Sequence, residues 1–157
     1  VGVLNKQTQI NELEALFVQD SIVSNLSAEN ENADQMFNAK NDEYIVYAKG
    51  GKKMLEIVPE NANDSTSSIK SIQIYDSRFK TEKGLSLLSN FRDINENYIV
   101  NNIETTLTSA TLFIDELNAT IAIDKKELGV NPFSRDEISL DQIPDIAKIK
   151  YFTVWFN

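Results

Sequence analysis

The stretch Tyr44-Ile45-Val46-Tyr47-Ala48-Lys49-Gly50-Gly51-Lys52-Lys53-Met54-Leu55-Glu56-Ile57-Val58 decides how the rest of this chain is read. Two runs rich in β-branched and aromatic residues flank a glycine pair, and both positions of a tight hairpin turn favour the positive φ that glycine adopts freely. The expectation is an antiparallel hairpin. Outward from it, residues 69–75 and 149–156 alternate apolar and polar, the pattern of half-buried strands. Residues 110–114 and 119–123 read as a second hairpin, turning around residues 116–118.

Helix signals are few and short. Ser89 reads as the N-cap of a helix on which Phe91, Ile94 and Tyr98 recur at three- and four-residue spacing. Ser21, after Asp20, reads as the cap of another carrying Val23 and Leu26. Residues 29–43 are rich in Asn, Asp and Glu, residues 59–68 read PENANDSTSS, and residues 129–144 hold two of the three prolines, so all three stretches read as loops. The expected fold is α+β, an antiparallel sheet with short helices on one face.

An internal repeat is also expected. Ser21-Ile22-Val23-Ser24-Asn25-Leu26 lines up with Ser89-Asn90-Phe91-Arg92-Asp93-Ile94. Ile69-Lys70-Ser71-Ile72-Gln73-Ile74-Tyr75 lines up with Ile149-Lys150-Tyr151-Phe152-Thr153-Val154-Trp155. The reading is one domain over residues 1–157, made of tandem α-β-β-β halves at 10–78 and 79–157.

A helix followed by antiparallel strands, in tandem, resembles the β-lactamase-inhibitor-like fold and the architecture of the small lipoprotein of the outer-membrane β-barrel assembly machinery. Thr81-Glu82-Lys83-Gly84-Leu85, then Ser89-Asn90-Phe91-Arg92-Asp93-Ile94 and Tyr98, is similar to a strand–turn–helix element of uncharacterised bacterial envelope proteins. So is Ile143-Pro144-Asp145-Ile146-Ala147-Lys148-Ile149. Leu88 stands where that element usually has glycine before the helical Ser. The resemblance implies a bacterial cell-envelope protein, periplasmic or lipid-anchored.

Composition narrows the chemistry. The chain has no Cys and no His, so it supplies no thiolate nucleophile, no disulfide, no imidazole base and no thiolate or imidazole metal ligand. No cofactor and no metal are expected. Twenty-four acids against fifteen bases leave a net charge of −9, which repels a nucleic-acid backbone or an anionic membrane surface. No apolar run approaches the roughly 20 residues that span a bilayer. The sequence begins at Val1 rather than Met, and the expectation is an exported protein with a signal segment, and any lipid-anchoring Cys, upstream of a polar tether Asn5-Lys6-Gln7-Thr8-Gln9. Membrane contact would then come only through that anchor; a cytoplasmic location is the alternative.

Residues 93–104 place oxygen ligands at several positions of a calcium loop, but Tyr98 falls where the loop's sharp turn needs glycine, so a helix end is the preferred reading. The adjacent acids Asp115 with Glu116 and Asp136 with Glu137 are candidate pairs for carboxylate catalysis, and they diverge if their segments are extended. Asn25, Asn63 and Asn118 head Asn-x-Ser/Thr sequences of a kind expected by chance in so Asn-rich a chain.

The two-sidedness of the alternating strands carries most functional content. Ile72, Ile74, Phe152, Val154 and Phe156 fall on one face, and Tyr75, Tyr151, Thr153 and Trp155 on the other. Aromatic side chains with a polar tip on an open sheet face suit recognition. The expected function is a non-catalytic interaction or structural module whose binding residues are Tyr75, Tyr151 and Trp155, with another protein or an envelope component as partner. The alternative is a small carboxylate-based hydrolase, which would show a concave pocket with convergent acids.

Overall fold

The structure is a computed structural model that describes residues 1–26 and 41–156. It is α+β, and the chain divides into two compact units, Val1–Tyr75 with Trp155–Asn157 and Asp76–Val154. Within each unit all strand pairs are antiparallel.

In the first unit a 3-10 turn, Ile10–Glu12, runs into helix α1 (Leu13–Leu16). Strands β1 (Ser21–Asn25), β2 (Glu43–Tyr47), β3 (Lys53–Pro59) and β4 (Ile69–Ile74) follow and lie in chain order. Gly50 and Gly51 turn β2 into β3 with φ of +103° and +87°, as the hairpin reading requires. Cross-strand pairing puts Val46 against Leu55, Leu55 against Ile74 and Ile57 against Ile72, so one face is continuous hydrocarbon. These residues are buried, as are Ile10 and Leu13 from the helical segment.

The second unit has helix α2 (Phe91–Asn97) and strands β5 (Asn102–Thr105), β6 (Ser109–Ile114), β7 (Ala119–Asp124) and β8 (Ile149–Trp155). Their order is β8-β7-β6-β5. Asn118, at φ +45°, closes the β6–β7 turn. Leu112 pairs with Ile121 and Ile121 with Phe152, and this buried row joins Phe91 and Ile94 of α2 in the core.

The structure corrects several local readings. Ser21 begins strand β1, not a helix: residues 21–25 pair with β2, Ser21 against Tyr47 through Asn25 against Glu43. The β-branched Ile22 and Val23 suit that pairing. The helix of the first unit lies earlier, where Ile10 and Leu13 share a face. The N-cap of α2 is Asn90 rather than Ser89, whose Oγ instead accepts from the Ser86 N–H. The stretch read as a polar tether is folded: Leu4 and Thr8 are buried, and Thr8 Oγ1 accepts from the Asn5 N–H at 3.1 Å. Most of the loop read at residues 29–43 lies outside the described residues.

These corrections change which segments of the two units correspond. Gln9 bridges Ser68 just before β4, and Asn90 bridges Lys148 just before β8. The next two N–H groups repeat the match: Ile10 and Asn11 donate to Ser67 and Ser65, Phe91 and Arg92 to Ala147 and Asp145. Gln9–Leu13 and Asn90–Ile94 thus play the same local part, each bridged to the residue just before a strand, Ile69–Ile74 in the first unit and Ile149–Trp155 in the second.

Candidate functional site

The buried sheet face of each unit leaves a second face with different composition. In the second unit it carries two cross-strand rows: Glu104, Thr111, Ala122 and Tyr151, and beside it Asn102, Phe113, Thr120 and Thr153. Thr111, Phe113, Thr120 and Thr153 are half-buried, and Tyr151 is 44% exposed. Lys150 Nζ lies 5.3 Å from the Tyr151 ring centre and 3.3 Å from Asp124. Asp124 is held below the ordinary carboxylate value, first by the Lys126 N–H it accepts and also by Lys150. The surface is threonine-rich, with Phe113 and Tyr151 as its aromatic groups.

Tyr75 and Trp155 belong to the first unit. Tyr75 directly follows β4, and its hydroxyl donates to Glu56 Oε2 at 3.0 Å. Lys53 donates to the same oxygen at 2.6 Å while its Nζ sits 3.8 Å from the Tyr75 ring centre. Burial, and next the charge of Glu56, push the Tyr75 phenol above its ordinary value. Burial by itself would lower the Lys53 ammonium, but its hydrogen bonds and charge interactions with Glu56 and Tyr75 outweigh this and raise it. Tyr75 is thus a fixed, half-buried ring. Trp155 ends β8 and is half-buried, and the next residue, Phe156, donates its N–H to the Lys70 carbonyl.

Other sequence candidates are in structural use. Asp93 accepts from the Asn90 N–H at 2.9 Å and Asn90 Oδ1 from the Asp93 N–H at 3.2 Å, a reciprocal cap on α2. Tyr98 is buried and its hydroxyl donates to Thr81 Oγ1 at 2.6 Å. Glu116 pairs with Lys83 at 2.7 Å. Asn63 and Asn118 occupy left-handed turn positions.

Sequence reasoning missed Lys125. It follows β7, opens a 3-10 turn (Lys125–Leu128), and is 1% exposed although its neighbour Lys126 is exposed. Its Nζ donates to the Ser134 carbonyl at 2.5 Å, and Lys125 and Ser134 are among the residues around a cavity of about 290 Å³. Asp136 and Glu137 line the same cavity, so the structure brings this acid pair to one place. A Lys-Lys pair reads locally as a solvated turn; only a later segment folding over it buries one of the two.

The fold is similar to that of the uncharacterised protein YfeY from Escherichia coli, seen in a crystal structure. The match has a TM-score of 0.59, covers 99% of this chain and 95% of that one, and has 15% sequence identity. It is a likeness of fold. No family model matches the chain, and no curated protein matches it.

Proposed function

We propose that this chain is a non-catalytic interaction module of the bacterial cell envelope that binds another protein or an envelope component through its open sheet faces. The observation that carries the reading is the contrast between the two faces of the second unit. Ile103, Leu112, Ile121 and Phe152 form one cross-strand row facing the core, while the opposite rows leave Phe113, Tyr151 and three threonines within reach of a partner. A ring with two χ angles loses little conformational entropy on contact, and small threonines let a partner approach closely. Tyr75 and Trp155 are the corresponding contact residues of the first unit. The envelope location is supported by the resemblance of the strand–turn–helix segments to bacterial envelope proteins.

The test is a pull-down from envelope extract with wild type, Tyr151→Ala and Trp155→Ala, each first shown to be folded by circular dichroism. Loss of a specific partner from the variants is expected; an identical partner set for all three sinks the proposed surface. The full-length gene tests the location, which an upstream region lacking an apolar signal segment would refute.

The hydrolase reading has one favourable observation, the shared cavity of Asp136 and Glu137. Both side chains are exposed, however, whereas catalytic groups work in a site closed off from water.

A further inference from the structure

Strand β1 stands at the end of the first unit's strand order and has β2 on one side only. Among the described residues, the hydrogen bonds of residues 21–25 run to β2 alone. Alternate residues of an antiparallel strand aim their N–H and C=O groups away from the partner, so β1 presents a row of unused donors and acceptors. Such an edge is a template for another strand unless lysine, proline, an inward-facing charge or a bulge blunts it. β1 has none of these. Its sequence is Ser-Ile-Val-Ser-Asn, and its register with β2 is unbroken, whereas both β2–β3 and β3–β4 carry a register shift. Four of its five side chains are exposed, with Val23 at 47%. Val18, in the turn leading into the strand, is exposed at 78%.

The second edge strand, β5, shows the contrast. It carries the acid Glu104, and the later Ile138 N–H already bonds Thr105 Oγ1 at 2.9 Å. An acidic edge repels its own copy; an uncharged one does not.

Self-pairing identifies the occupant of β1. With a twofold axis at Val23, an antiparallel pair of β1 strands sets Val23 against Val23, Ile22 against Ser24 and Ser21 against Asn25. Every pair is then uncharged, apolar or able to hydrogen-bond, although the chain as a whole carries a charge of −9. We infer that β1 is a homodimerisation edge, pairing antiparallel with β1 of a second copy about Val23. Two five-residue strands cover less than the roughly 1,200 Å² of a standard interface, so the dimer is a weak one, with Kd of about 10 µM to 1 mM. This edge is independent of the sheet-face reading and stands if that reading fails.

Sedimentation velocity on the intact protein, from about 10 µM to about 1 mM, tests it. Wild type should shift from monomer to dimer across that range. Val23→Lys and Val23→Glu, each shown folded by circular dichroism, should each stay monomeric, because like charges then face across the axis. An equimolar mixture of the two should associate again, because opposite charges meet there. Wild type that remains monomeric at about 1 mM overturns the inference and leaves the edge to a strand of some other protein. Association undiminished in both folded charge variants overturns it too, since another surface would then be responsible. Should either charge variant fail to fold, the chain's lack of cysteine supplies the deciding measurement. Facing Cβ atoms across such an axis lie about 4.5–5.5 Å apart, close to disulfide reach. Val23→Cys should therefore form a covalent dimer under mild oxidation at least about tenfold faster than Leu88→Cys, a more exposed position in the other unit. Equal rates at the two positions overturn the proposal.

Discussion

The ammonium of Lys53 lies 3.8 Å above the ring of Tyr75, and both side chains hydrogen-bond the same oxygen of Glu56. One carboxylate thus orders a cation and a phenol on the second face of the first unit's sheet. The arrangement makes alkaline pH the condition under which this face loosens.

Both groups hold their protons more tightly in the folded protein than in the unfolded chain. The folded state then binds more protons than the unfolded one, so stability falls as pH rises. The contribution is intact below the unfolded values of about 10 for Tyr and 10.4 for Lys, and is lost as pH passes through the higher folded values. Tyr44, raised by burial and by Asp42, adds to the same slope. Thermal melts between pH 8 and about pH 11 should show a falling Tm, and the combined Lys53→Met and Tyr75→Phe variant a shallower fall. An equal slope in that variant would show that the cluster is not its source.

Asn90 and Asp93 cap α2 reciprocally, and the helix is only seven residues long, so the cap is a large share of its local stabilisation. Asn90→Ala should cost about 1 kcal/mol, or about 3 °C in Tm, with Asn90→Asp retaining most of it. Equal melting of the Ala variant and wild type would mean that the bonds from Phe91 and Arg92 to Ala147 and Asp145 hold the helix start unaided.

At Gly50, with φ +103°, an added Cβ would meet nothing within 4 Å. The cost of Gly50→Ala is therefore backbone strain alone, about 1–2 kcal/mol. A D-alanine placed there by chemical synthesis should be tolerated, because it relieves the strain and occupies open space. Equal destabilisation by both enantiomers would instead point to a steric cause.

Leu112 is fully buried between Ile103 and Ile121 of the neighbouring strands, whereas Ile146 is 75% exposed. Leu112→Ala should destabilise by about 2–5 kcal/mol, and Ile146→Ala by less than about 0.5 kcal/mol. Chemical denaturation of the two variants checks the ordering.

Much of the strand framework is legible in the amino-acid sequence. The hairpin at Gly50-Gly51, the β6–β7 turn and the alternation in β4 and β8 are local signals: two glycines able to take positive φ, and side chains pointing alternately to two faces. The assignment of Tyr75, Tyr151, Thr153 and Trp155 to the side away from the buried residues rests on the same period. The helix expected at Ser21 shows the boundary of such reasoning. Ile22, Val23 and Leu26 fit a short helical stripe as well as a strand, and the β2 backbone decides the matter by pairing with residues 21–25. The corresponding helical segment, entered at Gln9, escapes sequence reasoning because Gln is a weak N-cap; what holds its first turn is the Glu12 carboxylate accepting the Gln9 N–H at 2.7 Å and the Ile10 bond to Ser67.

Lys125 marks the furthest point from sequence. Beside Lys126, the pattern of a solvated turn is all that the letters offer, and the loop later in the chain is read only as polar and proline-containing. Sequence by itself determined the strand type, the principal turns and the chemistry excluded by having neither Cys nor His, because each depends on residue identity and near neighbours. Tertiary structure alone decided that Lys125 is 1% exposed with its ammonium on the Ser134 carbonyl, and that Val130, Asn131, Asp136, Glu137, Ile138 and Gln142 line a cavity with these two residues. Burial of a charge is set by which distant segment excludes water from it, and no local periodicity records that.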